Sequence, residues 1–362
     1  MPSPRHFLVS PLDWGLGHAT RCVPVIRRLL EKNQRVSIAA SGAPASLLAQ
    51  EFPGLPIVPI VNYHMRYTRH PALLPLAFPF MIARVYNSAK KEHARLDTII
   101  QEHAVDCVIA DQRFGCHSHR ARSIYISHQL CVKMPRPFAT IERIIWLRLR
   151  RAAESFNELW IPDWPGPESL TGDLTHKYPL PPHARFVGPL SRFAPCGPAP
   201  RDRPGLLVVL SGPEPQRTAF ERAVLTALCS FDGSAVVVRG TPGQNTPCHA
   251  PANVTLLPHA STDRLQQLFC GAAAVVCRGG YTTIMDLVTM KKKAVIVPTP
   301  GQTEQEYLCR RAAQSGRFVM RTQKDLDIPD ALRELDSLQN RANRELANAL
   351  DRALEDTLAV LQ

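Results

Sequence analysis

The chain lacks several features that would take it out of the class of ordinary globular enzymes. No apolar run approaches the roughly 18 residues of a membrane-spanning helix, so no transmembrane span is expected. Its ten cysteines never fall in a C-x-x-C pair, and Met1-Pro2-Ser3-Pro4-Arg5 does not read as a secretory leader. The expectation is buried, reduced thiols in a cytoplasmic protein. Cys116-His117-x-His119 has no second cluster at ligand spacing, so no metal and no cofactor are expected. Aromatic residues are 7% of the chain and do not interleave with basic stretches, so nucleic acid is not an expected partner. Acid is scarcer than base, 31 Asp+Glu against 43 Lys+Arg, for a formal charge of +12. That excess suits an anionic substrate or an anionic membrane surface. The oligomeric state is not legible.

What is present is an alternation of apolar strands and helical segments, which implies parallel βαβ units. Strands are expected near 6–10, 35–40, 56–61, 105–110, 123–127 and 157–161 in a first half. In a second half they are expected near 205–210, 234–239, 253–257, 272–277, 294–297 and 317–320. Between the halves a Pro-rich stretch disfavours helix and sheet alike. The chain therefore divides into residues 1–190, a linker at 191–204, residues 205–328 and a helical tail at 329–362. The tail carries apolar residues at Leu332, Leu335, Leu338, Leu346, Leu350 and Leu354.

Two strand-to-helix turns concentrate polar chemistry. Arg278-Gly279-Gly280-Tyr281-Thr282-Thr283-Ile284-Met285-Asp286 follows the strand Ala272–Val276 and opens a helix. Such a turn exposes helix N-terminal N–H groups, which bind anions such as a diphosphate. Asp286, one to two turns into the helix, has the reach to meet ribose hydroxyls. After the next strand comes Pro298-Thr299-Pro300-Gly301-Gln302-Thr303-Glu304-Gln305-Glu306. Loops at the C-terminal ends of successive parallel strands converge on one crevice. Near the N-terminus, Gly15-x-Gly17-His18-x-x-Arg21 follows the first strand and opens a helix over about Ala19–Lys32. A dinucleotide-binding loop is the rival reading, but His18 obstructs backbone access and Thr20 stands where a third glycine belongs.

Arg278-x-Gly280-x-x-Thr283-x-x-Asp286, followed by Gln305-Glu306, resembles the C-terminal half of inverting GT-B glycosyltransferases, family 28 type, the peptidoglycan lipid-intermediate UDP-N-acetylglucosamine transferases. In that family an Arg-Ser-Gly-Ala-x-Thr-x-x-Glu run and a Gln-Gln pair hold UDP and the sugar. Here Asp286 stands at the Glu position and Gln305-Glu306 at the Gln pair, which leaves the donor sugar open. The Gly15–Arg21 loop is similar to the acceptor-side loop of the same superfamily. The resemblance implies an α/β fold of two Rossmann-like doubly wound domains facing a cleft, with the C-terminal helix crossing back to the N-terminal domain.

It also implies roles. Asp111 ends the apolar strand Cys107–Ala110, and His18 lies at the matching end of the first strand. A His oriented by a carboxylate activates a hydroxyl, as in related plant-type enzymes. His128-Gln129 resembles part of a His-Glu-Gln-Asn motif and is read as pocket lining. Ser211, Gly212 and Arg217 occupy the place of a phosphate-touching loop, in which Pro213 and Pro215 each remove a donor. Arg239 is a further candidate cation, and His259 sits where backbone groups read the base. Asp325-x-Asp327 is read as a helix-start signal rather than a metal motif. The segments 72–84 and 143–151 mix apolar and cationic residues and suggest a membrane surface or an interdomain helix. The implied reaction moves a hexose, such as N-acetylglucosamine, from a UDP-sugar to a hydroxyl acceptor that is a candidate for lipid linkage. The alternatives are a non-hydrolysing UDP-sugar 2-epimerase and a non-catalytic sugar-nucleotide-binding subunit.

Overall fold

The computed structural model describes residues 3–63, 74–134, 140–197, 205–241, 249–338 and 348–361, with backbone alone for 74–82. The chain divides into two compact units, Met1–Arg192 with Leu346–Gln362, and Phe193–Glu345.

The first unit is a parallel seven-stranded sheet in the order β3-β2-β1-β4-β5-β6-β7. The strands are β1 (His6–Pro11), β2 (Arg35–Ala39), β3 (Ile57–Val58), β4 (Cys107–Asp111), β5 (Arg122–Ile126), β6 (Glu158–Ile161) and β7 (Ala184–Phe186). Among its helices are α1 (Leu16–Glu31), α2 (Gly42–Glu51), α3 (Leu74–His103), α4 (Ile141–Glu154) and the short α5 (Asp173–His176). Central strands of such a sheet are covered on both faces and so read as continuous apolar runs. Phe7 and Val9 point to the layer of Cys22, Ile26 and Leu29 on α1. Leu8 and Val108 point to the opposite layer, with Leu96 and Ile99 of α3.

The second unit repeats the pattern with six parallel strands, β10-β9-β8-β11-β12-β13. They are β8 (Leu206–Val209), β9 (Ala235–Val238), β10 (Val254–Leu257), β11 (Ala274–Arg278), β12 (Ala294–Val297) and β13 (Phe318–Met320). The helices are α6 (Gln216–Leu228), α7 (Thr262–Gly271), α8 (Tyr281–Thr289), α9 (Thr303–Gln314) and α10 (Ile328–Ser337). The doubly wound α/β expectation is met in both units. The short edge strand β7, half-buried throughout, carries no apolar run and is not legible in the sequence.

Two expectations need correction. The tail is not one helix. It ends at Ser337, where Leu338 turns extended, and helix α11 (Ala349–Leu361) follows. Ile328, Ala331 and Leu335 pack in the second unit, whereas Ala353 and Leu354 pack against α1 in the first. Lys32–Glu355 and Arg28–Asp351 ion pairs, 2.7 and 3.3 Å, fasten α11 there. Nor are all thiols reduced, because Cys196 and Cys270 form a disulfide. The expected linker lies partly outside the described residues, at 198–204. Its start lies along α7, where Phe193 meets Phe269 at 5.6 Å and Ala194 N donates to Gln266 Oε1 at 3.3 Å. Gln266, Phe269 and Cys270 share one helix face, so the chain is laid directly over the second cysteine. The seven other described cysteines are free, and six of them are buried.

Candidate active site

In each sheet the chain runs outward from the first strand, then returns to add the next strand on the other side. The two loops at that reversal leave in opposite directions and open a crevice at the strands' C-terminal ends. In the first unit the reversal lies between β1 and β4, where Pro11 pairs with Asp111. Gly15, with φ of 83°, supplies the left-handed turn that starts α1, placing His18 on its first helical turn.

His18 Nδ1 lies 3.0 Å from Asp111 Oδ1. Arg21, one turn further along α1, grips the Asp111 carboxylate with both Nε and Nη2. Arg21 also brings Nη2 to 2.8 Å from His18 Nδ1 and Nη1 to 2.9 Å from His128 Nδ1. A guanidinium only donates, so in the Arg21–His128 contact His128 Nδ1 is the acceptor. Arg21 is 1% exposed and Asp111 0%. Arg21 and His128 are thus not a loop open to substrate, as expected from the sequence, but parts of one buried cluster around Asp111. Burial pushes the Asp111 carboxyl up, but Arg21 and then His18 outweigh it and hold it at about 2. His18 is pushed below the usual 6.5 by burial first and by Arg21 second, against the pull of Asp111. The ring is therefore neutral at pH 7.

A neighbouring ionic cluster was not legible in the sequence. Arg113, two residues past β4 and 0% exposed, pairs with the equally buried Glu92 of α3. It also donates to Pro11 O at 2.7 Å and Val61 O at 2.8 Å. Tyr63 OH donates to Glu92 at 2.8 Å, and Tyr63 N to Asp13 Oδ2 at 3.0 Å. These bonds tie together the loops after β1, β3 and β4. The one available signal was a charged residue directly after the strand that ends in Asp111.

In the second unit the reversal lies between β8 and β11. Ser211 and Gly212 are exposed in the loop after β8. Arg217 and Arg239, expected as donor cations, instead hold Glu221 between them, Arg217 at 3.1 Å. Arg278, 2% exposed, lies 4.0 Å over the Phe220 ring. It donates to Pro298 O at 3.0 Å and to Gln216 O at 3.1 Å. Its fixed fork thereby binds the loop after β12 to the start of α6, while burial lowers its pKa to about 10. Each of these three guanidiniums is held by protein groups and braces the elements it joins.

At the β11–α8 turn Gly279 is buried and Gly280 half-buried. A Cβ at Gly279 would sit 1.9 Å from Cys309 Sγ, so only glycine lets β11 run this close to α9. Gly280 caps α8 in extended backbone, and Thr283 stands half-buried in its first turn. Asp286 is on the second turn, 8% exposed. Gln305 Oε1 accepts from Thr299 N at 2.9 Å, and its Nε2 faces Gly280. Glu306 accepts from Gly301 N at 3.3 Å. The structure thus brings Gly279, Gly280, Thr283, Gln305 and Glu306 to one end of the sheet. His259 is exposed in the loop after β10. Among the described residues no cluster of three or more His, Cys, Asp or Glu residues forms a metal site.

Residues 253–358 match the model of the glycosyltransferase family 28 C-terminal domain. Over 146 residues the chain is 27% identical to a UDP-N-acetylglucosamine–N-acetylmuramyl-(pentapeptide) pyrophosphoryl-undecaprenol N-acetylglucosamine transferase of Desulforudis audaxviator. A similarly named transferase of Bacillus cereus is 30% identical over 103 residues. The matched part is 38% of both this chain and the first relative, and 27% of this chain and 28% of the second. Among solved structures, the glycosyltransferase SnogD from Streptomyces nogalater superposes with a TM-score of 0.67 at 17% identity, over 99% of this chain and 100% of that one. MurG of Acinetobacter baumannii gives 0.56 at 15%, over 98% and 100%.

The chain has the GT-B fold.

This GT-B chain carries the family 28 likeness in the stretch that holds both the β11–α8 turn and the Gln305-Glu306 loop. The matched residues run on into α11, which packs in the first unit.

Proposed function

We propose that this chain transfers a sugar from a UDP-sugar to an acceptor hydroxyl with inversion at the anomeric carbon. One observation carries the reading. The family 28 likeness falls on residues 253–358, and that stretch contains Arg278 to Asp286 and Gln305-Glu306. The nucleotide binds the second unit, its diphosphate against the first turn of α8 and its ribose against Asp286. The first unit supplies the base. The base is the tautomer in which His18 Nδ1–H donates to Asp111 Oδ1 rather than Nδ1 accepting from Arg21 Nη2; in that tautomer the Nε2 lone pair takes the proton of the acceptor hydroxyl. The oxygen attacks the anomeric carbon, the bond to the UDP oxygen breaks, and UDP leaves with the electron pair. The donor is a hexose such as N-acetylglucosamine, and no metal takes part.

The acceptor is lipid-linked in this reading. On α4, Arg143, Ile144, Leu147, Arg148 and Arg151 are exposed, with Ile144 59% and Leu147 43% accessible. Cations beside aliphatic side chains on one helix face suit an anionic membrane. Trp146, expected on that face, turns inward and stacks on Tyr178 at 4.8 Å. The other expected membrane segment, 72–84, lies outside the described side chains except for Ala83 and Arg84. Among the described residues no helix is long and apolar enough to cross a membrane.

Calorimetry tests the donor side. UDP should bind, and Asp286→Ala should weaken it by about 1.5–3 kcal/mol through a lost charge-assisted hydrogen bond. Unchanged affinity in a variant that keeps its melting temperature removes Asp286 from the ribose. Release of UDP from a UDP-sugar only when an acceptor is added separates transfer from epimerisation.

A further inference from the structure

Among the described residues of the first unit, positive charge without an ion-pair partner gathers on one face of α3. Arg84, Asn87, Ser88 and Lys91 follow one another on α3 at i, i+3, i+4 and i+7, so they share one helix face. That face and the loop Val61–Tyr63 after β3 enclose a pocket of about 520 Å³. It is large enough for a small ligand. Among the described residues the lining holds two cations, Arg84 and Lys91, the neutral hydrogen-bonding side chains of Asn62, Tyr63, Asn87 and Ser88, and no carboxylate.

The acid closest in sequence is not available to compensate. Glu92 is 0% exposed and turned inward, where Arg113, Tyr63 OH and Gly115 N occupy its carboxylate. Further along α3 the exposed charges are matched, Arg95 with Glu102 at 3.5 Å. Among the described residues neither Arg84 nor Lys91 has an ion-pair partner. Two like charges about 10 Å apart along one helix are stabilised by an anion that meets both.

We propose that this pocket binds a phosphoryl group. A dianionic tetrahedral group uses both cations and the amide and hydroxyl donors between them, whereas a single carboxylate is satisfied by one arginine. The wall of the pocket is firm. Arg113 holds Val61 O at 2.8 Å, and Asp13 accepts from Tyr63 N at 3.0 and 3.2 Å. Those bonds fix the loop after β3 to the loops that follow β1 and β4. A molecule bound here lies along the C-terminal edge of the first sheet. The site stands on these residues alone and does not depend on the transfer reaction.

The test uses the full chain and inorganic pyrophosphate, titrated calorimetrically with UDP saturating so that any diphosphate site on the second unit is filled. The wild type should bind pyrophosphate, and Arg84→Ala/Lys91→Ala should bind it at least about tenfold more weakly. UDP affinity and melting temperature should not change, because both side chains are exposed on a helix. Arg84→Lys/Lys91→Arg should retain most of the binding. Vesicles containing phosphatidate form a parallel arm. If the double alanine variant loses both pyrophosphate and vesicles, the phosphoryl group belongs to a lipid headgroup; if it loses pyrophosphate alone, to a soluble ligand. Equal pyrophosphate affinity in wild type and variant overturns the proposal. Failure of the wild type to bind UDP would count against the transferase reading and leave this comparison intact.

Discussion

At the scale of single residues, His18 is the sharpest point. Its Nδ1 faces Asp111 at 3.0 Å and Arg21 at 2.8 Å, with His128 on the far side of the same guanidinium. These are the charged and titratable groups around it, and their net effect with burial is a pKa below 6.5. In the proposed mechanism the neutral ring is the base, so activity is expected above its folded pKa and lost as pH falls through it. The acidic limb of kcat/KM should therefore lie below pH 6.5, with Asp111, at about 2, ionised throughout. A limb centred above 6.5 would show that another group limits the rate. His18→Ala should lower turnover by roughly 10²–10⁴ and leave UDP affinity nearly unchanged. An equal loss of UDP affinity would place His18 on the nucleotide side.

At the scale of elements, the Cys196–Cys270 bridge fixes residues 193–196 to α7 across a sequence separation of 74. Restricting a loop of that length in the unfolded chain corresponds to about 4 kcal/mol in the chain-entropy model. Reducing agent should therefore lower the melting temperature of the wild type but not of Cys196→Ser/Cys270→Ser. A midpoint indifferent to reduction would mean that the Phe193–Phe269 and Ala194–Gln266 contacts hold the segment unaided. Helix α4 offers a second element-scale test. Replacing Arg148 and Arg151, both exposed, and Arg150, which pairs with Glu154 at 2.8 Å, by Ser should weaken co-sedimentation with anionic liposomes. Each cation near the surface contributes about 1 kcal/mol, and added salt should weaken wild-type binding likewise. A wild type that stays in the supernatant at low salt would turn the acceptor reading toward a soluble molecule.

At the scale of the whole molecule, the +12 charge has been distributed in a way that bears on the diphosphate. Arg217 and Arg239 are committed to Glu221, and Arg278 to backbone carbonyls and the Phe220 ring. In the proposed reaction the leaving group is therefore assigned to helix N-termini and backbone N–H groups, which stabilise charge without reorganising. Turnover should survive EDTA. Loss of activity that Mg²⁺ or Mn²⁺ restores would show that helix ends are not enough.

The doubly wound class was legible in the sequence because buried parallel strands must be apolar on both faces, and runs such as Cys107–Ala110 and Ala294–Val297 announce this directly. The β11–α8 turn was legible too, because glycine is the residue that permits Gly279 to lie against Cys309. Helix starts were marked by their caps, as where Asp327 accepts from Asp330 N at 2.9 Å. What required the tertiary structure were the partners of charged side chains. Whether Arg21, Arg239 or Arg278 meets a ligand or a neighbour depends on residues 90, 18 and 20 positions away along the chain, and those separations carry no local signal. The same holds for Cys196 and Cys270, whose pairing is set by how the chain is laid along α7, and for the tail, where Ser337 ends one helix and α11 belongs to the other unit. Local pattern is set by backbone sterics and burial and so is written residue by residue. Pairing across the fold is set by which loops the two sheet reversals bring together, and only the folded chain decides that.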